Sequence, residues 1–264
     1  MIVNQPKLTT VPRDLSAFTD RRTLIGGMAV GSGLLLSGCD SAASNSPLIR
    51  SVEGLNHVVQ RAVGPSNALA REFAYEDRSP VFRMNGNTMP SSAEYGRHLA
   101  NNFADWRLKV DGLVNRPLDL SMADLMAMPS RTQVTRHDCV EGWSAIAQWI
   151  GTPLAAILQR SGLKSNARYI AFHCADDFSG APYYESIDLV EARHPQTILA
   201  WGMNKGRLAV GHGAPLRLRV ERQLGYKQAK YVMRVEARDS LAGLYGGKGG
   251  FWEDNTTYEW YAGI

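Results

Sequence analysis

Five side chains of this 264-residue chain could bind a soft metal or form a covalent bridge: His137, Cys139, His173, Cys174 and His212. Three arrangements of them make chemical sense. A zinc centre needs Cys and His at tetrahedral spacing, and the chain offers neither a C-x₂-C nor an H-x₃-H pair. A Cys139–Cys174 disulfide suits an oxidising compartment. A lone thiolate on a metal would use Cys139, with Arg136 and His137 just before it to favour the ionised form. Residue chemistry alone leaves all three open.

Other familiar chemistries are poorly served. Gly142-Trp-Ser144-Ala-Ile146 lacks the second glycine of a nucleophile elbow. Gly246-Gly-Lys248-Gly-Gly250 lacks the spacing and the Ser/Thr of a phosphate loop and reads as a turn. No GxGxxG joins a strand to a helix. The formal charge is +4. Residues 1–38 carry Lys7, Arg13, Arg21 and Arg22 against Asp14 and Asp20, so about +2 remains for the body, too little to suggest a nucleic-acid partner. Three cysteines leave one unpaired, which excludes a disulfide framework.

The first 38 residues read as an export address. Arg21-Arg22 precedes a weakly apolar stretch, Gly26 to Leu36, that falls short of the roughly 20 residues a membrane span requires. Paired arginines before such a core suggest the twin-arginine route. Leu36-Ser37-Gly38-Cys39 resembles a lipobox, which makes Cys39 the expected lipidation site. Residues 39–78 then form a tether and an extension with a weak helical pattern at Leu55, Val58, Val59 and Ala62. The functional domain is expected over 79–264.

Short elements must position the chemistry. Arg107 to Gly112 alternates and ends in Asp-Gly, predicting a strand and turn. Ser121 caps a short helix to Met128, with Asp124 three residues on and Pro129 as the stop. Arg131 to His137 alternates and leads to Cys139. A helix is expected with Pro153 at its first position, running to Arg160. Residues 167–174 predict a buried strand, 187–192 a short helix, and 215–220 and 230–237 further strands. Short helices among many strands indicate a mixed α+β fold.

Four segments, taken in order, resemble the sulfite oxidase family, and within it the methionine-sulfoxide-reducing subgroup. They are Phe82 to Pro90, Arg136 to Ala145 with Trp149 to Pro153, His194 to Arg219, and Gly225 to Lys230. The resemblance runs from about Phe82 to the C-terminus. It implies an α+β sulfite oxidase-type core binding one Mo-molybdopterin, without the C-terminal immunoglobulin-like dimerisation domain of larger relatives. It implies that Cys139 is the catalytic molybdenum ligand. It assigns Asn85, His212, Arg217, Gln228, Ala229 and Lys230 to the cofactor, with Arg217 and Lys230 on its phosphate. Cys174 falls where the subgroup has a threonine at the pterin; a small buried core residue is the alternative. The lone His194 reads as a hydrogen-bonded loop residue.

The activity so implied is two-electron oxygen-atom transfer, with reduction of an S-oxide as one form. The expected partners are a small-molecule substrate, a membrane haem protein or cytochrome for electrons, and a membrane reached by the lipid anchor. The expected location is the periplasmic side of the bacterial inner membrane. Rival readings are a sulfite-type oxidase, a non-catalytic lipoprotein that keeps the fold, and a zinc- or disulfide-stabilised domain. Against sulfite, Val140-Glu141-Gly142-Trp143 replaces the basic residue that sulfite oxidases carry after the cysteine. A Glu buried there without a partner would disfavour the anion by several kcal/mol.

Overall fold

Leu108 and Val110 are buried while Arg107 and Lys109 face solvent, the period-2 pattern of a half-buried strand. This is β1, Arg107–Gly112, where the sequence predicts it. The computed structural model describes residues 68–264. The twin-arginine stretch, Cys39 and Leu55 to Ala62 lie outside the described residues.

Two sheets organise the chain. The first has the order β2 (Leu118–Ser121), β1, β10 (Val232–Arg238), β5 (Tyr169–Phe178) and β6 (Ala181–Asp188). The second runs β3 (Arg131–Cys139), β4 (Trp143–Pro153), β7 (Ile198–Met203), β8 (Gly206–Arg207), with β9 (Arg217–Arg219) also paired to β7. Among the described residues β1 and β10 pair in parallel and the remaining ladders are antiparallel. Among the described residues, five short helices connect them: α1 (Ala93–Ala100), α2 (Met122–Ala127), α3 (Leu154–Ser161), α4 (Leu189–Ala192) and α5 (Phe251–Asn255). The fold is mixed α+β. The larger core, including Trp106, Ile170, Phe172 and Val235, packs on the first sheet, and a smaller one around Trp149 belongs to the second.

Local chemistry explains several boundaries. Ser121 accepts from the Asp124 N–H while the Asp124 carboxylate accepts from the Ser121 N–H, a reciprocal cap that starts α2. Val140 to Gly142 turns β3 into β4; Gly142 sits at φ +83°, a left-handed conformation that suits glycine, and its N–H donates to the Cys139 carbonyl. That turn leaves Cys139 at the end of a paired strand, opposite Trp143.

Two expectations need correction. Pro153 is the N-cap of α3, not its first helical residue, because Trp143–Pro153 is a long strand held between β3 and β7. Ile187 and Asp188 end β6, and only Leu189–Ala192 is helical, with the Asp188 side chain capping the Glu191 N–H. Residues 68–78 run along the edge of β3, with the Phe73 N–H donating to the Val134 carbonyl and both ends of the Gln196 amide bonded to Ala70. No helix among the described residues is long and apolar enough to cross a membrane.

Candidate functional site

β3 alternation decides what surrounds Cys139. His137 and Cys139 point inward and are buried, whereas Arg136 points outward and pairs with Asp138 at 2.9 Å. His137 accepts from Arg219 across 3.0 Å and sits well below its ordinary pKa, held there by burial and by the Arg219 and Arg217 charges. It is therefore neutral. The expectation that Arg136 and His137 ionise Cys139 is overturned: one faces away and the other carries no charge. Burial pushes the thiol up, and the Glu141 carboxylate adds to it, against the opposing pull of the Glu141 backbone N–H and of Arg217. A metal coordinated by this sulfur would deprotonate it outright.

Cys139 lines an open cavity of about 160 Å³, smaller than the ~300–1,000 Å³ of typical small-molecule sites. Asn85, Gln228 and Lys230 line it too. Lys230 donates to the carbonyls of Asn85 (2.7 Å), Asn87 and Gly211 (3.1 Å), and burial, with Arg217, lowers its pKa to about 7. Arg217 is fully buried and reaches Asn85 Oδ1 (3.5 Å) and the His212 carbonyl (3.2 Å). Its Nε has no partner, and burial followed by Arg219 lowers it to about 9. Among the described residues no carboxylate pairs with it, in contrast to Arg219, which forks onto Glu221 at 2.6 and 3.0 Å.

Other assigned residues stand further back. His212 packs against Phe82 with ring centroids 5.6 Å apart; burial, Arg217 and Lys230 hold it at about 4, and its Nδ1 has no partner. Ala229 is buried behind the wall, and its carbonyl accepts from the Leu218 N–H. Cys174 does not line the cavity. It pairs opposite Val232 and packs against the larger core, the small-hydrophobe alternative. Both Cys139 and Cys174 carry free thiols. His173 is occupied by Glu236 at 2.9 Å, so the five soft ligands do not converge, and no group of three metal-ligating side chains occurs among the described residues. His194 bonds the Ala68 carbonyl through its ring.

The structure adds residues that sequence reading missed. Asp176 is 4% exposed and lines the cavity; Asn87 donates to one of its oxygens, the other has no partner, and burial raises its pKa to about 6. Phe178, Tyr183, Tyr226, Trp252 and Tyr258 form an aromatic wall. Glu141 at the mouth is exposed and accepts from the Trp143 indole at 2.9 Å, so the condition for a large penalty on anions is not met. Gly225 is required by closeness: an added Cβ would lie 2.5 Å from His137 Nε2. Gly225→Ala is expected to cost about 1–3 kcal/mol through overpacking, read as a lowered denaturation midpoint; an unchanged midpoint would show that the ring can move aside.

The donor set can be tested against a pterin cofactor. Among the described residues Arg217 forms no ion pair and Lys230 feels one carboxylate charge, that of Asp176, while Gln228 Oε1, His212 Nδ1 and Arg217 Nε are unsatisfied. Buried polar groups rarely stay unpaired. A polar, phosphate-bearing ring ligand would supply those partners, and a free buried thiol suits a soft metal. The residues fit.

The chain matches the family described as oxidoreductase molybdopterin binding domain over residues 96–243. It is 36% identical over 252 residues to a protein of Azospira oryzae named a candidate protein-methionine-sulfoxide reductase subunit, YedZ1, covering 94% of this chain and 87% of that one. It is 34% identical over 152 residues to the protein-methionine-sulfoxide reductase catalytic subunit MsrP of Campylobacter jejuni, and 36% over 145 residues to that of Ralstonia nicotianae. Those alignments cover 52% and 51% of this chain and 51% and 44% of the relatives, so the chain spans about half of each MsrP.

Proposed function

The chain belongs to the molybdopterin-binding oxidoreductase family, and from that membership we propose a two-electron oxygen-atom transfer enzyme that reduces an S-oxide such as methionine sulfoxide. The observation that carries the reading is the presence of a free buried thiol, Cys139, together with two buried basic side chains: Arg217, which forms no ion pair among the described residues, and Lys230. Cys139 would hold molybdenum. Arg217 would grip the phosphate with its fork, and Lys230 would meet it as a point charge. Asn85, His212, Gln228 and the backbone at Ala229 would contact the remainder. When bound, the metal supplies the exchange of an oxygen atom with two electrons.

Electrostatics favour an uncharged substrate over sulfite. Glu141 and Asp176 place two carboxylates in the cavity wall. Glu141 is exposed, so its repulsion of an anion is screened to about 1 kcal/mol at contact distance; Asp176 is buried and is felt more strongly. A neutral S-oxide meets neither cost. The aromatic wall excludes water from one side and offers an apolar surface to the substrate's carbon skeleton.

The remaining parts of the reading rest on sequence and family names. Residues 1–38 act as a twin-arginine address, Cys39 carries a lipid, and 79–264 form the working domain, with residues 68–78 clasped to the edge of β3. The working place is then the periplasmic face of the inner membrane, with a membrane haem protein or a cytochrome as electron donor. Protein matured through export should reduce methionine sulfoxide with a reduced artificial donor and should fail to reduce cytochrome when given sulfite. Sulfite-driven cytochrome reduction without S-oxide turnover would reverse the substrate assignment.

A further inference from the structure

Four of the rings that line the cavity touch one another in single file. Tyr226 meets Tyr258 at 4.9 Å between ring centroids, Tyr258 meets Trp252 at 6.1 Å, and Trp252 meets Phe178 at 5.1 Å. The file has a direction. Its Tyr226 end abuts the strand that carries Cys139. A Cβ on the preceding Gly225 would lie 2.5 Å from the His137 ring and 3.3 Å from the Asp138 carbonyl oxygen, and those two residues lead directly to the thiol. Its Phe178 end meets the segment Asn85 to Asn87, since a Cβ on Gly86 would lie 3.8 Å from the Phe178 ring. The aromatic face thus runs from beside Cys139 to the segment that walls the cavity at Gly86.

Exposure separates this face from the side chains assigned to the cofactor. Arg217 and Lys230 are buried. Trp252, Tyr258 and Phe178 are half-buried, and Val140 and Glu141, which follow Cys139 and line the same cavity, are exposed. The rings therefore lie where a substrate enters. They are also held in place. Thr256 donates to the Trp252 carbonyl through its N–H at 2.8 Å and its hydroxyl at 2.6 Å. Beyond Tyr258, the Tyr226 hydroxyl donates to the Glu259 carbonyl at 2.6 Å and the Trp260 indole to the Ser186 hydroxyl at 2.8 Å. The Leu224 N–H donates to the Ala262 carbonyl at 2.9 Å, and the Ile264 N–H to the Arg222 carbonyl at 3.0 Å. Rings fixed in advance lose little freedom when a ligand lies on them.

We propose that this aromatic face binds the substituents of the S-oxide, and that Trp252 and Tyr258 set specificity for S-oxides bearing a long apolar or aromatic substituent. This rests on the reading of the chain as an S-oxide reductase. A substrate whose sulfur sits at the Cys139 end lays its substituent along the rings. The carbons bonded to an S-oxide sulfur share its partial positive charge and are drawn to the negative ring faces. An aromatic substituent stacks on them, and the thioether product keeps a sulfur–aromatic contact. A dimethyl S-oxide is too short to reach past the first rings and gains little from the rest.

The test gives exported, molybdenum-loaded protein dimethyl, butyl methyl and methyl phenyl sulfoxide with a reduced artificial donor. In the wild type kcat/KM should rise along the series, by about 10-fold or more from first to last, the low end of what an added methylene gains in an apolar pocket. The gain should sit in KM, because the rings hold substrate and transition state alike. Trp252→Leu and Tyr258→Leu should each cut the ratio of methyl phenyl to dimethyl sulfoxide by about 3-fold or more, the worth of one aromatic contact. Molybdenum and released pterin should match the wild type in both variants. Equal kcat/KM along the series in the wild type would overturn the proposal. So would an unchanged ratio in either folded variant, or a folded variant that has lost its pterin, which would make the rings a cofactor platform. Should Trp252→Leu not fold, Tyr258→Leu decides alone. A loaded wild type that reduces none of the three would instead sink the S-oxide reading, and the specificity role with it.

Discussion

Cys139→Ser is expected to leave a folded chain with S-oxide turnover reduced by at least ~10³-fold, about 4 kcal/mol at 1.36 kcal/mol per decade. The fold should tolerate the change because Cys139 ends β3 as a small buried residue and its thiol takes part in no disulfide. The loss follows from what the sulfur does. No neighbour ionises this thiol, since Arg136 is turned outward to Asp138 and His137 is neutral. A serine hydroxyl is a harder and far weaker acid, poorly matched to a soft metal site. Turnover in Cys139→Ser close to that of the wild type would mean that the sulfur is not at the reacting centre. Thermal unfolding of the same preparation separates this from misfolding: the midpoint should stay near the wild-type value.

The second large effect concerns the cofactor's hold. Arg217→Met should weaken cofactor retention by about 2–5 kcal/mol, the usual cost of deleting one partner of a buried charge pair. In the cofactor-free chain the sign should reverse. Arg217 is fully buried, has no carboxylate of its own and is lowered to about 9 by burial and by Arg219. Replacing an uncompensated buried cation by an apolar side chain of similar length is stabilising as a rule. The cofactor-free variant should therefore unfold at higher denaturant than the cofactor-free wild type, while losing its pterin faster on dialysis. A cofactor-free chain weakened by the substitution, with pterin retention unchanged, would place Arg217 in the scaffold and not at the phosphate.

What the sequence made readable follows from how local each signal is. β1, α2 with its reciprocal cap, and the end of β3 at Cys139 are written in contiguous residues, and each lies where expected. β4 went unread because its buried face is built from Ala145, Ala147 and Trp149. Alanines at alternate positions hide a strand, and the pairing with β3 and β7 reveals it. With β4 unseen, Pro153 looked like a first helical residue when it is the cap between strand and helix. Strand pleating also defeated the electrostatic guess at Cys139: Arg136, three positions away, faces the opposite side of the sheet, and His137, two positions away, shares the buried face and is held neutral there. Asp176 escaped notice because an acidic residue late in a strand usually faces water; here the irregular pairing between His173 and Asp177 accompanies its burial against Asn87. The aromatic face draws Phe178, Tyr226, Trp252 and Tyr258 from separate segments, and no spacing rule could assemble it.

The proposed bond between the Cys139 thiolate and molybdenum is most directly tested by X-ray absorption at the molybdenum edge, on exported wild-type protein and on Cys139→Ser. The wild type should contain about one molybdenum per chain, as a single-pterin site requires, and Cys139→Ser should show one sulfur neighbour fewer at whatever molybdenum it keeps. Identical sulfur shells in the two proteins, or a matured wild type without molybdenum, would contradict the assignment of Cys139 as the metal ligand.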